Sequence, residues 1–88
     1  MEEKRTLMKL RRDYNERAEI PITSQRLAEV AGVALADEFL MELGRPVSAE
    51  VARRVIKTFN ALTGQHYTFA DIEVSLKKLR FPRDTATT

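Results

Sequence analysis

Three carboxylates crowd one short stretch of this chain. Asp37, Glu38 and Glu42 fall within ten residues of one another. Acidic oxygens that close together raise the question of a hard cation, but calcium wants a cage of six or more oxygens, and no oxygen-rich loop accompanies them. They are expected to be solvated acids on a helix face. His66 is the single histidine and cysteine is absent, so no zinc-type ligand set, thiol nucleophile or disulfide can be assembled. His66 sits in Gly64-Gln65-His66-Tyr67 and is expected to be a plain connector residue. No phosphate-cradling glycine loop, nucleophile elbow or His-Glu-x-x-His stretch occurs. The residues therefore predict neither an enzyme nor a bound metal or cofactor.

What remains is recognition by charge and by apolar surface. Fifteen Lys and Arg residues face thirteen Asp and Glu, a net charge of +2. That balance is too weak to announce a nucleic-acid partner, so the positions of the charges matter more than their sum. Lys4, Arg5, Lys9, Arg11, Arg12 and Arg17 crowd the first segment, mixed with Asp13 and Glu16. Arg26 and Arg45 bracket the acidic stretch. Lys77, Lys78, Arg80 and Arg83 gather near the C-terminus, where a solvated helix end suits the helix dipole.

These side chains need elements to hold them, and the apolar spacing predicts five short helices and no sheet. Leu7, Leu10 and Tyr14 mark one face of a first helix over about 2–19, which Pro21 ends. Thr23 or Ser24 caps a second helix, Leu27, Ala28, Val30 and Ala31 carry its apolar side, and Gly32 closes it. A third helix follows over 34–43 and stops at Gly44. Ser48 caps a fourth, with Val51, Val55, Phe59 and Leu62 in line and Ala52 and Ile56 beside them. Thr68-Phe69-Ala70-Asp71 has the spacing of a capping box and predicts a fifth, with Ile72, Leu76 and Leu79 as its apolar face. Phe59 and Phe69 are both expected in the core. The expected domain covers 1–81, followed by a polar tail over 82–88. No apolar run suits a membrane span and the opening Met-Glu-Glu-Lys-Arg carries no leader signature, so a cytoplasmic protein is expected.

The stretch from Ser24 to Gly44 meets the demands of a helix-turn-helix: a small residue, Ala28, where the helices cross, a glycine, Gly32, in the turn, and Leu27, Ala31 and Val33 to close the angle. Thr23-Ser24-Gln25-Arg26-Leu27-Ala28-Glu29-Val30-Ala31-Gly32-Val33 resembles the second helix and turn of Cro/lambda-repressor-like (XRE-type) DNA-binding domains. Glu42-Leu43-Gly44-Arg45-Pro46, Ser48 to Ile56, and Thr68 to Ile72 are similar to the later parts of the same fold. The resemblance spans about residues 23–72. It implies an all-α, compact five-helix bundle of the lambda-repressor-like type with its helix-turn-helix at about 23–44, and a transcriptional regulator that binds duplex DNA as a dimer on paired half-sites. Arg17, Ser24, Gln25, Arg26 and Arg45 would hold the backbone, and Leu35, Asp37 and Glu38 would lie at the major groove. Gln25 stands one residue beyond the family's usual phosphate-contacting Gln, a slot filled here by Ser24.

The third helix departs from that pattern. It holds no Arg, Lys, Asn, Gln, Ser or Thr, the residue types that match base-edge donors and acceptors, and its formal charge is −3. Two seatings follow. Amphipathicity buries Ala36, Phe39, Leu40 and Leu43 and turns Ala34, Asp37, Glu38, Met41 and Glu42 outward, an acidic face opposite a polyanion. The family register instead turns Glu38 and Met41 inward and leaves Leu35, Phe39, Leu40 and Leu43 outward, an apolar patch of the kind that meets proteins. The first seating is the expected one, because an unpaired buried carboxylate costs several kcal/mol, by order of magnitude. The alternative function keeps the fold but makes the third helix a surface for a protein partner or a second copy, through Leu35, Phe39 and Met41.

Overall fold

Residues 4–77 are described by the computed structural model of the chain. Within them lie four helices and two very short strands: α1 Leu7–Asn15, α2 Ser24–Ala31, α3 Leu35–Glu42, β1 Pro46–Val47, α4 Ala49–Thr63 and β2 Ser75–Leu76. The fold is mostly helical, as the spacing predicts, but it differs from the five-helix, sheet-free expectation at its end.

The caps fall where local chemistry puts them. Thr23, not Ser24, caps α2, its hydroxyl accepting from the Arg26 amide at 3.0 Å. Ser48 does the same for α4 through the Val51 amide at 3.1 Å. Gly32 ends α2 at φ 74°. The Gly32 amide then donates to the Glu29 carbonyl and the Val33 amide to that of Ala28, the two bonds of a Schellman turn, which spares those helix-end acceptors from burial without a partner. Only three residues, 32–34, separate α2 from α3.

α1 is shorter than predicted at both ends. Thr6 caps it, accepting from the Lys9 amide at 3.2 Å, and the residues before the cap are extended enough for Arg5 to bridge Ile72. At the other end the Asn15 side chain leaves the helix and grips Ile22, donating to its carbonyl and accepting from its amide at 2.9 and 2.8 Å. Asn60 in α4 holds Tyr67 by the same pair of bonds, both 2.9 Å. Each loop is thereby closed seven residues on. Glu2, Glu3, Leu79 and the cations Lys78, Arg80 and Arg83 lie outside the described residues, as does the tail.

The predicted fifth helix does not form over 68–77. Asp71 folds back on Thr68 as the spacing suggests, accepting from its amide and hydroxyl, but the chain then extends. Ile72 is buried and bridges Arg5, the Glu73 amide donates to the Arg5 carbonyl at 2.8 Å, and β2 runs parallel to β1 with Pro46 opposite Ser75 and Val47 opposite Leu76. Ile72-Glu73-Val74-Ser75-Leu76 alternates apolar and polar as well as it repeats by four, and β-branched residues favour the extended choice once open backbone partners stand alongside.

The core gathers Leu7 and Leu10 of α1, Ile22, Leu27 and Ala31 around α2, Met41, Val47, Ile72, and Ala52, Val55, Ile56 and Phe59 of α4. Phe59 stacks on Tyr67 with ring centres 5.9 Å apart. Outside α3, three apolar residues expected inside are exposed: Phe69 in the Thr68–Asp71 turn, Val30, 54% exposed on α2, and Leu76 in β2. No helix among the described residues is long and apolar enough to cross a membrane.

Candidate interaction site

α3 is seated against the expectation from amphipathicity. Its buried residues are Glu38, Met41 and Glu42, each with no exposed surface. Both acids are thus removed from solvent, which corrects the expectation of solvated carboxylates on a helix face.

The burial of Glu42 is explained by partners that lie far away in sequence. Arg11 of α1 donates from Nε to Glu42 Oε2 at 2.9 Å and from Nη2 to Oε1 at 3.1 Å, while its Nη1 reaches the Ile22 carbonyl at 2.9 Å. Ser24, the first residue of α2, donates its hydroxyl to Glu42 Oε2 at 2.9 Å. One carboxylate therefore ties α1, α2 and α3 together, with a two-pronged Arg contact that suits its planar geometry. Burial pushes the Glu42 carboxyl up, but the hydrogen bonds from Glu38, Arg11 and Ser24 outweigh it and hold the group below its ordinary value.

Glu38, one helical turn earlier, has no such donors. Neither of its carboxylate oxygens has a partner when ionised. Burial, with the Glu42 carboxylate beside it, pushes its pKa up to about 9. At neutral pH Glu38 is therefore a neutral acid, whose hydroxyl can donate a hydrogen bond to the Glu42 carboxylate. The cost that argued for the other seating falls once the buried group carries no charge.

The outward face of α3 follows from this seating. Leu35, Phe39 and Leu43, spaced by four, are 49%, 45% and 44% exposed. Ala34 and Ala36 are exposed beside them, and Asp37 and Leu40 are half-buried. The stripe itself carries no ionisable side chain, since Glu38 and Glu42 point into the core and Asp37 lies on the far flank of the helix. The surface is apolar rather than acidic.

The other predicted contact residues divide by exposure. Arg17, Gln25, Arg26 and Arg45 are exposed, and Gln25 makes a long hydrogen bond to Glu29 at 3.4 Å. Arg17, Arg26 and Arg45 form no ion pair among the described residues. Ser24 is half-buried and spends its hydroxyl proton on Glu42, so it is not free to donate to a phosphate. Arg11 is likewise committed to Glu42. Glu38 cannot reach a base edge and Met41 cannot touch a partner, because both are fully buried. Leu43 takes the place of Met41 in the exposed stripe. His66 is exposed in the connector after α4.

Comparison of the chain with protein-family models, with curated proteins and with solved structures finds no match.

Proposed function

We propose that this chain is a helix-turn-helix domain of the Cro/lambda-repressor-like type whose third helix makes a protein contact, with a second copy of the chain, in place of reading base edges. The apolar stripe Leu35, Phe39 and Leu43 carries this reading. Residues spaced by four on one exposed face are the pattern by which a helix anchors in a partner's groove. The same face offers no hydrogen-bond donor from a side chain to a base or a phosphate.

Duplex-DNA binding through the backbone is the second reading. What favours it is the placement of exposed Arg26 and Arg45, on α2 and just beyond α3, with Arg17 after α1. The seating of α3 also removes two of its three formal charges from the surface, which lessens repulsion from phosphate.

Two measurements separate these. Sedimentation of the full chain over a wide concentration range is expected to show self-association that Leu35→Asp with Phe39→Ser abolishes. An unchanged mass distribution in that variant defeats the self-association reading. Titration with random duplex DNA at low and then moderate salt tests the other. Phosphate contacts would make affinity fall steeply with salt, and no binding at low salt removes DNA from consideration.

A further inference from the structure

Apart from α3, one edge of the short sheet is left open. The segment from Ile72 to Lys77 runs extended beside Arg5 and β1. The Glu73 amide donates to the Arg5 carbonyl and the Lys77 amide to the Val47 carbonyl, both at 2.8 Å. Successive peptide groups of a strand point to opposite edges. The odd-numbered residues are therefore spent on this inner side, and the backbone of Val74 and Leu76 points away from it. No strand pairs on that outer side among the described residues. An open edge is a ready template for another chain. Resting on the reading that the partner is a second copy, but not on the face α3 presents to it, we infer that two copies pair their 72–77 segments edge to edge, as antiparallel strands about a two-fold axis at Ser75.

The strand's own pattern names the occupant. About that axis Glu73 lies opposite the partner's Lys77 and Val74 opposite the partner's Leu76, and each pairing occurs twice. Glu73 and Lys77 are exposed and form no ion pair among the described residues. Opposite charges thus meet at both ends of the contact, where like charges would repel. Val74 packs against the core, and Leu76 is 45% exposed on the same side of the strand as buried Ile72. Pairing carries that apolar row across the axis and covers Leu76. The hydrogen-bond register agrees. Val74 and Leu76, whose peptide groups face outward, fall in the hydrogen-bonded pairs, and Ser75 meets its own copy in a non-bonded pair with Cα atoms about 4.5 Å apart. Two strands of this length cover far less than the roughly 1,200 Å² of a stable interface. The contact is accordingly weak by itself and adds to the α3 contact without replacing it.

Covalent trapping tests the register. The chain has no cysteine, so one introduced thiol reports where two copies meet. Ser75→Cys sets two sulfurs across the axis at a Cα spacing that a disulfide spans. With oxidised glutathione it should form a covalent dimer roughly tenfold faster than Gln65→Cys, an accessible thiol in the connector after α4. Leu76→Pro removes only an outward amide, which an edge strand tolerates. Circular dichroism and thermal melting should therefore match the parent, while trapping through Ser75→Cys falls to the Gln65→Cys rate. In the Ser75→Cys chain, Glu73→Lys or Lys77→Glu should each slow trapping by roughly two- to tenfold, and an equal mixture of the two should restore it as a heterodimer. Equal trapping at positions 75 and 65 would overturn the strand pairing, and an α3-dependent dimer in sedimentation would then still stand. A Leu76→Pro chain that melts well below the parent would overturn it too, because the outward edge would already be used within the chain. Fast trapping at Ser75, beside a stripe variant of unchanged mass distribution, would keep the strand contact and sink the α3 reading.

Discussion

Arg11 and Glu42 stand 31 residues apart in sequence and meet in a two-pronged contact of 2.9 and 3.1 Å, with the Glu42 side chain wholly buried and that of Arg11 15% exposed. The pair converts a carboxylate that local reasoning would place in water into a joint between α1 and α3. Ser24 extends the joint to α2, so the whole orientation of α3 depends on it. Removing one member of a buried pair leaves the other charge uncompensated, which typically costs about 3–5 kcal/mol, whereas replacing both by apolar residues is often neutral. Arg11→Met should therefore lower the urea midpoint severely, and Arg11→Met with Glu42→Leu should recover most of the loss. Equal instability of the single and double variants would show that the pair is not the joint described.

Glu38 sets the pH response. Its carboxyl is raised from 4.5 to about 9 in the fold, first by burial and then by the neighbouring Glu42. Between those two values the unfolded chain is ionised at this position and the folded chain is not. Folding therefore takes up a proton, and the stability tied to Glu38 is full below 4.5 and drains away as pH rises towards 9. The slope is at most about 1.4 kcal/mol per pH unit. Glu42 works in the opposite sense: its carboxyl is lowered, so its contribution is present above 4.5 and is lost as pH falls below that value. Glu38→Gln keeps a donor for Glu42 and has nothing to ionise. Chemical denaturation from pH 5 to pH 9 should show a steady loss of stability in the parent and a nearly flat profile in the variant, with the variant the more stable at pH 8. Parallel profiles would show that Glu38 is ionised within the fold.

The helix boundaries that depend on nearby residues were readable in the sequence. Thr23, Gly32 and Ser48 act within four residues of themselves, and Val55, Ile56 and Phe59 enter the core as their spacing predicts. What was hidden depends on distant partners. Burying Glu38 and Glu42 looks expensive until Arg11 and Ser24 are brought up from 31 and 18 residues away and Glu38 is allowed to keep its proton. A signal did exist: the alternative seating turns Glu38 and Met41 inward together, and Glu42 lies one turn beyond Glu38. Segment 72–76 was hidden in another way, since its pattern fits two periods. The backbone of Arg5 and of β1, both remote in sequence, settles the choice. The α3 face inherits the first of these ambiguities, which is why Leu43 belongs to the stripe and Met41 does not.

Asn15 and Asn60 should be worth more than their half-buried positions suggest. Each side chain satisfies both the amide and the carbonyl of a residue seven positions on. Truncation to alanine leaves two part-buried backbone groups without partners, at a cost of about 1–3 kcal/mol for each variant. Aspartate keeps the acceptor but loses the donor, so Asn60→Asp should fall between the parent and Asn60→Ala in thermal stability. Hydrogen exchange offers a local check, because the Tyr67 amide should lose protection in both Asn60 variants.

Gly32 and Gly64 share a backbone conformation but not surroundings, and alanine should distinguish them. Their φ angles are 74° and 73°, so a side chain at either is disfavoured by about 1–2 kcal/mol from backbone sterics alone. Around Gly64 the space is open. At Gly32 a Cβ would stand 3.3 Å from Arg54 Nη1, and Arg54 is held in place by Glu50 at 2.8 Å. Gly32→Ala must strain that ion pair or push the turn between α2 and α3 aside. Its loss of stability should exceed that of Gly64→Ala by a few tenths of a kcal/mol to about 1 kcal/mol, the worth of an exposed ion pair. Arg54→Ala in the same chain should remove the excess. If the two alanine variants melt together, the Arg54 side chain yields freely, and the turn before α3 is held by its backbone hydrogen bonds alone.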